Sequence, residues 1–500
     1  MVYDFETSYR AMSSRDVRFD GRFVVAVTST SVYCRPSCPS RTPRRENVRF
    51  FRLAAAAEAA GFRACRRCRP DVDPGSPEWN VRGDLVARAL RLIAGGAVDQ
   101  DGVTGLARRL VVSERHLHRQ LVAEVGAGPQ MLAINRRARV ARLLVESSAL
   151  PLAEVAFAAG YSSVRQFNEG MRAAFGCSPS ELRRGKPAGP AEGAGHLVLR
   201  LRYRTPLPSD PLLNWLGTRA LPGVEVADGS RYQRTMRLPR GAGCVTVEFD
   251  QVPEAARQGV ATVRLSLTDP RDVTAAVQRC REIFDLDADP AAITDELGAD
   301  PQIGPLVRAR PGLRVPGCAD GFELAVRAVL GQQVSLAAAR TFGGRLVARF
   351  GEAIQTPDHR LTHLFPTPRA LAEADLEAIG LTRRRATTLR ALAQAVDAGR
   401  MMLDRGVDRE ECTATLLAIP GIGPWTAGYV AMRALGDPDV LLTNDLGLRE
   451  AARHLGMASG TRGLAAHSQR WRPWRSYAAM YLWAILPTRD RATASEPGQR

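Results

Sequence analysis

The stretch that decides the fold of this chain is Leu416–Ala427, with the sequence LLAIPGIGPWTA. The residues up to Ile419 suit the apolar end of a helix, and Pro424 suits the first position of the next helix, where its missing N–H is not needed. Between them, Gly421 and Gly423 permit a tight hairpin and let backbone N–H groups approach a phosphate closely. The stretch therefore predicts two helices joined by a hairpin that can hold a phosphate backbone.

The 500-residue chain around this hairpin is strongly basic. It has 69 Lys and Arg residues against 52 Asp and Glu, a formal net charge of +17, which favours a polyanionic partner such as nucleic acid. Residues 1–190 carry most of the excess, with 30 basic and 18 acidic side chains. The hydrophobic fraction of 45% and the charged fraction of 24% are those of globular proteins. A wholly disordered or fibrous chain is therefore excluded, and the length suits three or four domains.

Three features bear on chemistry and location. Lys186 is the single lysine and lies in a Gly/Pro/Ala-rich stretch, so Schiff-base chemistry has one remote candidate. The N-terminal MVYDFETSYR lacks the apolar core of a secretory signal, and Pro and Gly interrupt the uncharged run 412–432, which would break a spanning helix. We therefore expect a cytoplasmic, nucleoid-associated protein without membrane contact, whose nine cysteines are reduced or bind metal.

Two close pairs of cysteines are the strongest local pattern in the N-terminal region. Cys34 and Cys38 are followed, after 26 residues, by Cys65 and Cys68. Two thiol pairs at this separation suit one tetrahedral Zn²⁺ site made of four thiolates. Arginines surround both pairs and would attract phosphate. On these residues alone, a purely structural zinc site is the favoured interpretation. The other cysteines are predicted to be buried or incidental, namely Cys177, Cys244, Cys280, Cys318 and Cys412.

The sequence around these cysteines closely resembles the N-terminal domain of the Ada adaptive-response proteins, over about residues 4–75. The resemblance rests on FVVAVTSTSVYCRPSCPSR, RENVRF and AGFRACRRCRPD. It implies that Cys34 irreversibly accepts a methyl group from a methylphosphotriester in DNA, and that Cys38, Cys65 and Cys68 are the other zinc ligands. Metal binding keeps a thiol deprotonated, and methylation would reduce the negative charge that repels DNA. The repair event would then activate DNA binding and transcription.

Two downstream segments each predict a helix, a short turn and a second helix. The pairs are Leu106–Leu110 with Glu114–Val125, and Leu152–Gly160 with Val164–Phe175. Polar residues on the second helices can reach phosphates or base edges in a major groove, although a solvated helix face would look the same. The DNA-binding candidates are Arg115, His118, Arg119, Arg165, Gln166 and Asn168. With ARVARLLVESS between them, the two units resemble the AraC-type DNA-binding domain, which follows the zinc domain in the Ada family.

The hairpin and the later VLLTNDLGLREA resemble the helix–hairpin–helix DNA glycosylases, specifically the AlkA-type 3-methyladenine DNA glycosylase II. The resemblance covers about residues 197–487 and includes ARPGLRVPGCADGFELAVRAVLGQQVS and RWRPWRSYA. It implies that Asp445 is the catalytic carboxylate, at the start of a helix over Leu446–His454 with Thr443 and Asn444 as capping candidates. An alkylated base is already cationic and leaves readily, so one carboxylate can suffice. Asp445 then stabilises the oxocarbenium-like sugar and orients water.

The same resemblance assigns the substrate and DNA contacts. A flipped cationic base favours an electron-rich pocket, for which Trp425, Tyr429 and Trp483 are the stacking candidates by motif position. Trp471, Trp474 and Tyr477 are expected in the core. Gln333 in AVLGQQVS stands where the family has an apolar wedge residue, so we expect flipping to depend more on sequence context. Gly421, Ile422, Gly423 and Thr426 are expected to hold the DNA backbone.

Trp425 also occupies the position where related bifunctional glycosylases carry a Schiff-base lysine, which predicts a monofunctional enzyme. None of the nine cysteines lies in a Pro-Cys-His-Arg context, so no repair of O6-methylguanine is expected. The expected partners are double-stranded DNA, both alkylated and promoter DNA, and RNA polymerase, without a small organic cofactor. The alternative function is a non-catalytic DNA-binding regulator with a structural zinc site. Loss of base release with intact DNA binding would favour that alternative.

Together these features predict a multidomain, mainly α chain. It combines a small four-cysteine zinc α/β domain, two helix-turn-helix units, an α+β subdomain and an all-α helix–hairpin–helix glycosylase core. Alternating runs at His196–Arg204, Val245–Asp250 and Ala261–Leu267 predict strands, and the pattern is helical from about Phe322. Composition breaks place the domains at 1–78, 79–185, 196–305 and 306–487, with a flexible linker at 186–195 and a tail at 488–500.

Overall fold

The structure is a computed structural model of the 500-residue chain. It describes residues 5–13, 23–36, 38, 40, 42–52, 54–65, 85–148, 150–184, 197–253 and 256–486. The predicted linker and tail, Cys68 and Lys186 lie outside these residues. Within the described ranges, no helix combines the length and apolar character that crossing a bilayer requires.

In its described residues, the N-terminal domain is a four-stranded sheet with two helices, and its strands lie in the order β3-β1-β2-β4. Its elements are α1 (Phe5–Ser13), β1 (Val24–Val27), β2 (Val32–Cys34), β3 (Val48–Phe51), α2 (Ala54–Ala59) and β4 (Arg63–Ala64). The strands β2 and β4 are parallel, with Tyr33 opposite Ala64. Because β2 ends on Cys34 and β4 leads directly into Cys65, this register brings the two predicted zinc ligands together.

The next domain is entirely helical in its described residues. Its elements are α3 (Leu85–Ala94), α4 (Ala97–Arg109), α5 (Glu114–Val125), α6 (Pro129–Ser147), α7 (Leu152–Ala158), α8 (Val164–Phe175) and α9 (Pro179–Arg183). The helices α5 and α8 have the bounds predicted for the second helix of each unit. Ser113 and Ser163 are their N-caps, and each hydroxyl oxygen accepts a first-turn N–H. Gly102, with a φ of +70°, kinks α4 before its second half enters the first unit.

An antiparallel five-stranded sheet follows, in the order β5-β9-β8-β7-β6. Its elements are β5 (Leu197–Arg204), α10 (Ser209–Gly217), β6 (Glu225–Ala227), β7 (Arg231–Arg237), β8 (Ala242–Phe249), β9 (Gln258–Leu267) and α11 (Val273–Ile283). The strands β5, β8 and β9 overlap the three predicted ones, whereas β6 was not predicted. The strand β7 was not predicted, because RYQRTMR carries three arginines. One of them, Arg234, is 3% exposed, and two buried glutamates form ion pairs with it.

The C-terminal part is a helical body with a small two-stranded sheet. Its elements are α12 (Pro290–Leu297), α13 (Gly304–Ala309), α14 (Gly321–Leu330), α15 (Leu336–Phe350), β10 (Glu352–Ala353), β11 (His363–Leu364), α16 (Pro368–Ala372), α17 (Arg383–Asp397), α18 (Arg409–Leu417), α19 (Pro424–Arg433), α20 (Leu446–His454), α21 (Thr461–His467) and α22 (Arg475–Ala484). One apolar cluster joins α14, α17, α18 and α19, and a second joins α20 and α22. The helix α19 contributes to both, so it connects the hairpin to the helix that follows Asp445.

The helix α20 has its predicted bounds, and Asp445 stands at its start as expected. Asp445 is the N-cap, and its carboxylate accepts the Leu448 N–H over 2.8 Å. Neither of the nearby capping candidates, Thr443 and Asn444, is the N-cap, because Asp445 is the residue that precedes the first turn. The catalytic candidate thus also fixes the start of the helix.

The helical domain and the C-terminal half are packed together. One buried apolar cluster includes Tyr33 of the zinc domain, Leu144 of α6 and Leu201 of β5. A second contact lies just before α18. There, Arg88 donates to the Gly406 carbonyl over 2.8 Å, Arg91 donates to the Arg405 carbonyl, and Arg109 pairs with Asp404 over 3.2 Å. The segment that leads into the first helix of the hairpin motif is therefore held by the helical domain.

Candidate functional site

The hairpin predicted from Leu416–Ala427 connects α18 and α19. Gly421 has a φ of +92°, and a Cβ there would lie 2.1 Å from the Thr388 hydroxyl oxygen, so only glycine fits. Thr388 also donates to the Pro420 carbonyl over 2.8 Å. Gly423 is the N-cap of α19. Among the described residues no acceptor takes the N–H of either glycine, which leaves both available to a phosphate.

The loop between α14 and α15 is fixed to this hairpin. The Gln332 side-chain amide donates to the Gly421 carbonyl over 3.0 Å and to the Thr426 hydroxyl over 2.9 Å. Thr426 is 2% exposed and Ile422 is 5% exposed, and the Ile422 N–H donates to the Ile419 carbonyl over 3.0 Å, so both residues are buried behind the hairpin. Gln333 follows, exposed and with a φ of +54°. The predicted wedge residue therefore stands on a loop that is held rigidly beside the hairpin.

Three N–H groups converge on the carboxylate of Asp445. Oδ1 accepts the Leu448 N–H over 2.8 Å and the Trp483 indole N–H over 3.0 Å. Oδ2 accepts the Trp425 indole N–H over 2.8 Å. Hydrogen bonds to an ionised carboxylate are shorter and stronger than those between neutral groups. The two tryptophans therefore orient both oxygens of Asp445 and place their own rings beside it.

Aromatic rings form two walls next to this carboxylate. Trp425 stacks on Tyr429, with ring centroids 5.2 Å apart and an interplanar angle of 8°. Trp483 lies 5.4 Å from Trp215. The rings of Trp425, Tyr429 and Trp483 are half-buried, as a stacking surface requires. In contrast, the three aromatic residues predicted in the core are at most 3% exposed, namely Trp471, Trp474 and Tyr477.

Trp215 was missed in the sequence, because it lies on α10 in the α+β subdomain, far from every motif. Two arginines, also missed, lie behind the walls. The guanidinium carbon of Arg219 is 3.5 Å from the centroid of the Trp215 ring, and Arg433 donates to the Tyr429 hydroxyl. Burial raises the pKa of Tyr429, but the positive charges of Arg433 and Arg219 outweigh it and bring that pKa below its ordinary value.

The N-terminal site brings three predicted zinc ligands together. The sulfur atoms of Cys34, Cys38 and Cys65 all lie within 4.8 Å of one another. Cys34 and Cys38 are buried, and all three thiols are free of disulfides. The Cys65 N–H donates to the Tyr33 carbonyl over 2.9 Å, which continues the pairing of β2 with β4. Three converging thiols suit a thiophilic metal with tetrahedral geometry, so the residues fit zinc.

The remaining cysteines have no such grouping in the described part of the chain. Cys177, Cys280 and Cys412 are buried, whereas Cys244 and Cys318 are half-buried. Burial raises the pKa of the Cys280, Cys318 and Cys412 thiols to about 12. These thiols are therefore protonated and unreactive at neutral pH.

The second helices of the two helix-turn-helix units present polar residues. On α5, the side chains of Arg115, His118 and Arg119 are exposed. On α8, Arg165 is exposed and pairs with Glu169 over 3.0 Å. The other α8 candidates are Gln166, which is exposed and accepts from Ser162, and Asn168, which is half-buried. All six candidates lie on the two helices, and five of them are exposed.

Four family models match successive parts of the chain. The metal-binding domain of Ada matches residues 7–71, and a helix-turn-helix domain matches residues 106–185. The AlkA N-terminal domain matches residues 198–320. The HhH-GPD superfamily of base excision DNA repair proteins matches residues 326–476. The order of these models is the order of the domains predicted from the sequence.

Individual proteins match either nearly the whole chain or just over half of it. The chain is 50% identical to the probable bifunctional transcriptional activator/DNA repair enzyme AlkA of Mycobacterium tuberculosis, over 97% of both chains. It is 35% identical to DNA-3-methyladenine glycosylase 2 of Escherichia coli, over 57% of this chain and 95% of that one. A solved 3-methyladenine DNA glycosylase from Archaeoglobus fulgidus is 23% identical with a TM-score of 0.48, and covers 57% of this chain and 96% of that chain.

Proposed function

Because this chain belongs to the family of bifunctional transcriptional activator/DNA repair enzymes of the AlkA kind, we propose that it removes alkylated bases from DNA through Asp445 and senses methylated DNA phosphates through Cys34. The first activity is that of a DNA-3-methyladenine glycosylase. The second is a stoichiometric methyl transfer that activates sequence-specific DNA binding and transcription. Each activity has its own site, in separate domains of one chain.

Asp445 stabilises the charge that develops during base removal. When the bond between sugar and alkylated base breaks, its electron pair goes to the base nitrogen, and the cationic base departs neutral. The positive charge passes to the sugar, where the carboxylate lies to stabilise it. Water then adds to the sugar carbon and loses a proton. The observation that carries this proposal is the pair of indole N–H groups, from Trp425 and Trp483, that hold both oxygens of Asp445 beside the aromatic walls.

The aromatic walls and the hairpin supply substrate binding. Trp425, Tyr429 and Trp483 offer ring faces to a flipped cationic base, an attraction that strengthens away from water. The backbone N–H groups of Gly421 and Gly423 bind a DNA phosphate, while Gln333 fills the space that the flipped nucleotide leaves. Leu446, which is 76% exposed directly after Asp445, adds an apolar contact to the DNA. Trp425 stands where a Schiff-base lysine would be, which supports a monofunctional enzyme.

Cys34 accepts the methyl group at the N-terminal site. Its sulfur attacks the methyl carbon of a methylphosphotriester, the new S–C bond forms, and the C–O bond breaks. The electron pair of that bond stays on the phosphate oxygen, which restores an ordinary phosphodiester. Zinc bound to these thiols would keep them ionised and nucleophilic at neutral pH. Cys38 and Cys65 support this assignment by their proximity to Cys34, and Cys68 is proposed as the fourth ligand.

The exposed faces of α5 and α8 then read promoter DNA. The six polar candidates on these helices contact phosphates and base edges, and loss of negative charge at Cys34 lowers the repulsion between the zinc domain and DNA. An activator that binds a promoter acts on RNA polymerase, which we propose as the protein partner. The methylated Cys34 thus converts a repair event into transcription.

The first experiment measures release of 3-methyladenine from methylated duplex DNA by the full chain and by Asp445→Asn. We expect release by the wild type, loss of at least about a thousandfold in the variant, and equal DNA affinity. Asp320→Asn is the matched control, because Asp320 is also an N-cap, of α14, and accepts the Glu323 N–H over 2.8 Å. No release by the wild type would instead favour a regulator whose C-terminal half only binds duplex DNA.

A further inference from the structure

Two arginines behind the aromatic walls have no carboxylate partner among the described residues. Arg433 is 7% exposed, and its guanidinium donates to the carbonyls of Pro316 over 2.6 Å and Gly317 over 2.9 Å. Arg219 is half-buried and donates to the Trp215 carbonyl over 3.2 Å. Both therefore carry a positive charge that neutral acceptors solvate but no anion balances. Leaving such a charge in a protein interior is costly, so it calls for an explanation.

Two neighbouring arginines differ from Arg219 and Arg433, because each forms an ion pair with a carboxylate. Arg234 and Arg327 lie next to this region and are matched by two buried glutamates, Glu225 and Glu323. Arg234 pairs with Glu323 over 2.6 Å, and Arg327 pairs with Glu225 over 2.8 Å. This group of four is neutral in total. Among the described residues, Arg219 and Arg433 are thus the arginines that contact the aromatic walls, and neither forms an ion pair with a carboxylate.

The contacts of these two arginines lead to the base side of the pocket. The guanidinium carbon of Arg219 lies over the ring of Trp215, which lies against Trp483. Arg433 donates to the hydroxyl of Tyr429, which stacks on Trp425. Burial is the main cause that lowers the pKa of Arg219, to about 10, so it stays charged at neutral pH. Positive charge thus lies behind the rings, while the negative charge of Asp445 lies at their edge.

This separation of charge matters when the glycosidic bond breaks, because the base always gains one electron pair. A cationic base departs neutral, whereas a neutral damaged base departs as an anion that later takes a proton from water. In the transition state, a positive charge near the base therefore stabilises only a base that was neutral in DNA, because that base becomes negative. A cationic base becomes neutral instead, so the positive charge does not lower its activation free energy relative to the free enzyme and DNA.

We propose that Arg219 is a specificity-determining positioning residue. Together with Arg433, it stabilises the negative charge that develops on a damaged base that was neutral in DNA. Arg219 thereby sets the ratio between excision of neutral and cationic damaged bases. The inference rests on the proposed function, because it assumes that Asp445 and the aromatic walls form the excision pocket. It adds a second electrostatic element to that pocket, on the side opposite to the sugar.

The test compares two lesions in the same duplex sequence, cationic 7-methylguanine and neutral hypoxanthine, with full-length wild type, Arg219→Met and Arg219→Lys. Methionine keeps an extended side chain over Trp215 but removes the charge, and lysine keeps the charge. We expect Arg219→Met to lower kcat/KM for hypoxanthine about tenfold and to leave kcat/KM for 7-methylguanine within about twofold. Arg219→Lys should restore most of the hypoxanthine activity.

A merely structural role of Arg219 would lower excision of both lesions by the same factor, and that result would overturn the proposal. So would a wild type that releases 7-methylguanine but no hypoxanthine. Arg345→Met is the matched control, since Arg345 also donates to a backbone carbonyl, that of Ile379, but contacts no pocket ring. Release of neither lesion by the wild type would contradict the proposed glycosylase function itself, which keeps the two failures distinct.

Discussion

Trp425 donates its indole N–H to Asp445 Oδ2 over 2.8 Å while its ring stacks on Tyr429. One side chain therefore belongs to an aromatic wall and also orients the carboxylate for which we propose the catalytic role. This double contact is compatible with the expectation that a tryptophan here, in place of a Schiff-base lysine, makes the enzyme monofunctional. It also makes the two roles separable by substitution.

Trp425→Phe should separate orientation from stacking. Phenylalanine keeps an aromatic face against Tyr429 but removes the N–H donor to Asp445. Because a hydrogen bond to a charged group contributes about 1.5–3 kcal/mol, we expect kcat for 3-methyladenine release to fall roughly tenfold to a hundredfold. Single-turnover kinetics at saturating enzyme measure this step. The affinity for undamaged duplex DNA should not change, and a kcat equal to that of the wild type would refute the orienting role.

Gln333 should make excision depend on the base opposite the lesion. An exposed glutamine on a fixed loop can hydrogen-bond to the unpaired base, which an apolar side chain cannot. We expect Gln333→Ala to slow excision roughly tenfold, and Gln333→Leu to restore the rate without the dependence on the opposite base. Single-turnover rates with each of the four opposite bases provide the measurement. A wild type indifferent to the opposite base would contradict this role.

Zinc content should report the ligand set. The wild type is expected to bind one zinc ion per chain, and Cys65→Ala and Cys68→Ala should each reduce the bound zinc at equal protein concentration. Cys412→Ala is the control, because Cys412 lies buried in the C-terminal body. Metal analysis after dialysis gives the stoichiometry. Full zinc retention in Cys68→Ala would remove Cys68 from the ligand set.

Methyl uptake should follow Cys34 alone. Cys34→Ala is expected to lose transfer of a labelled methyl group from methylphosphotriester DNA, while its release of 3-methyladenine stays at the wild-type rate. Asp445→Asn should show the reverse pattern, because the two sites lie in separate domains. Parallel assays of one protein preparation measure both activities. Labelling of another cysteine in Cys34→Ala would contradict the assignment.

The thiols with raised pKa values should remain unreactive in the native protein. The pKa of Cys280, Cys318 and Cys412 is about 12 in the folded chain and about 8.5 in an unfolded one. Between these values the unfolded chain loses the three protons first, so the free energy of unfolding should fall as pH rises above about 8.5. Iodoacetamide should spare these cysteines at pH 8 and modify them in guanidinium. Modification of Cys280 and Cys412 in the native state would contradict their burial.

Local signals made several elements predictable. The starts of α5 and α8 follow from Ser113 and Ser163, because a serine before an apolar-periodic segment satisfies the first free N–H groups of a helix. The hairpin follows from Gly421, whose positive φ only glycine adopts without strain. Such features depend on a few neighbouring residues, so they can be predicted from the sequence without knowing the tertiary structure.

Other features depend on distant partners and could not be predicted in this way. Strand β7 was missed because Arg234 makes it look exposed, and its two glutamate partners come from β6 and α14. Trp215 and Arg219 belong to the pocket only because the α+β subdomain packs beside α22 and α19. That Arg219 and Arg433 lack a carboxylate partner among the described residues can be recognised only from the positions of their neighbours in the folded chain.

The buried apolar cluster that links Tyr33, Leu144 and Leu201 has a consequence for gene architecture. Cutting the chain between residues 184 and 197 would expose an apolar surface on each fragment, so the fragments should aggregate or reassociate. Evolutionary fission into two separate genes would therefore require resurfacing both products. While the fusion persists, each zinc domain is synthesised and degraded together with one glycosylase domain, and the ratio of the two stays fixed without any control of expression.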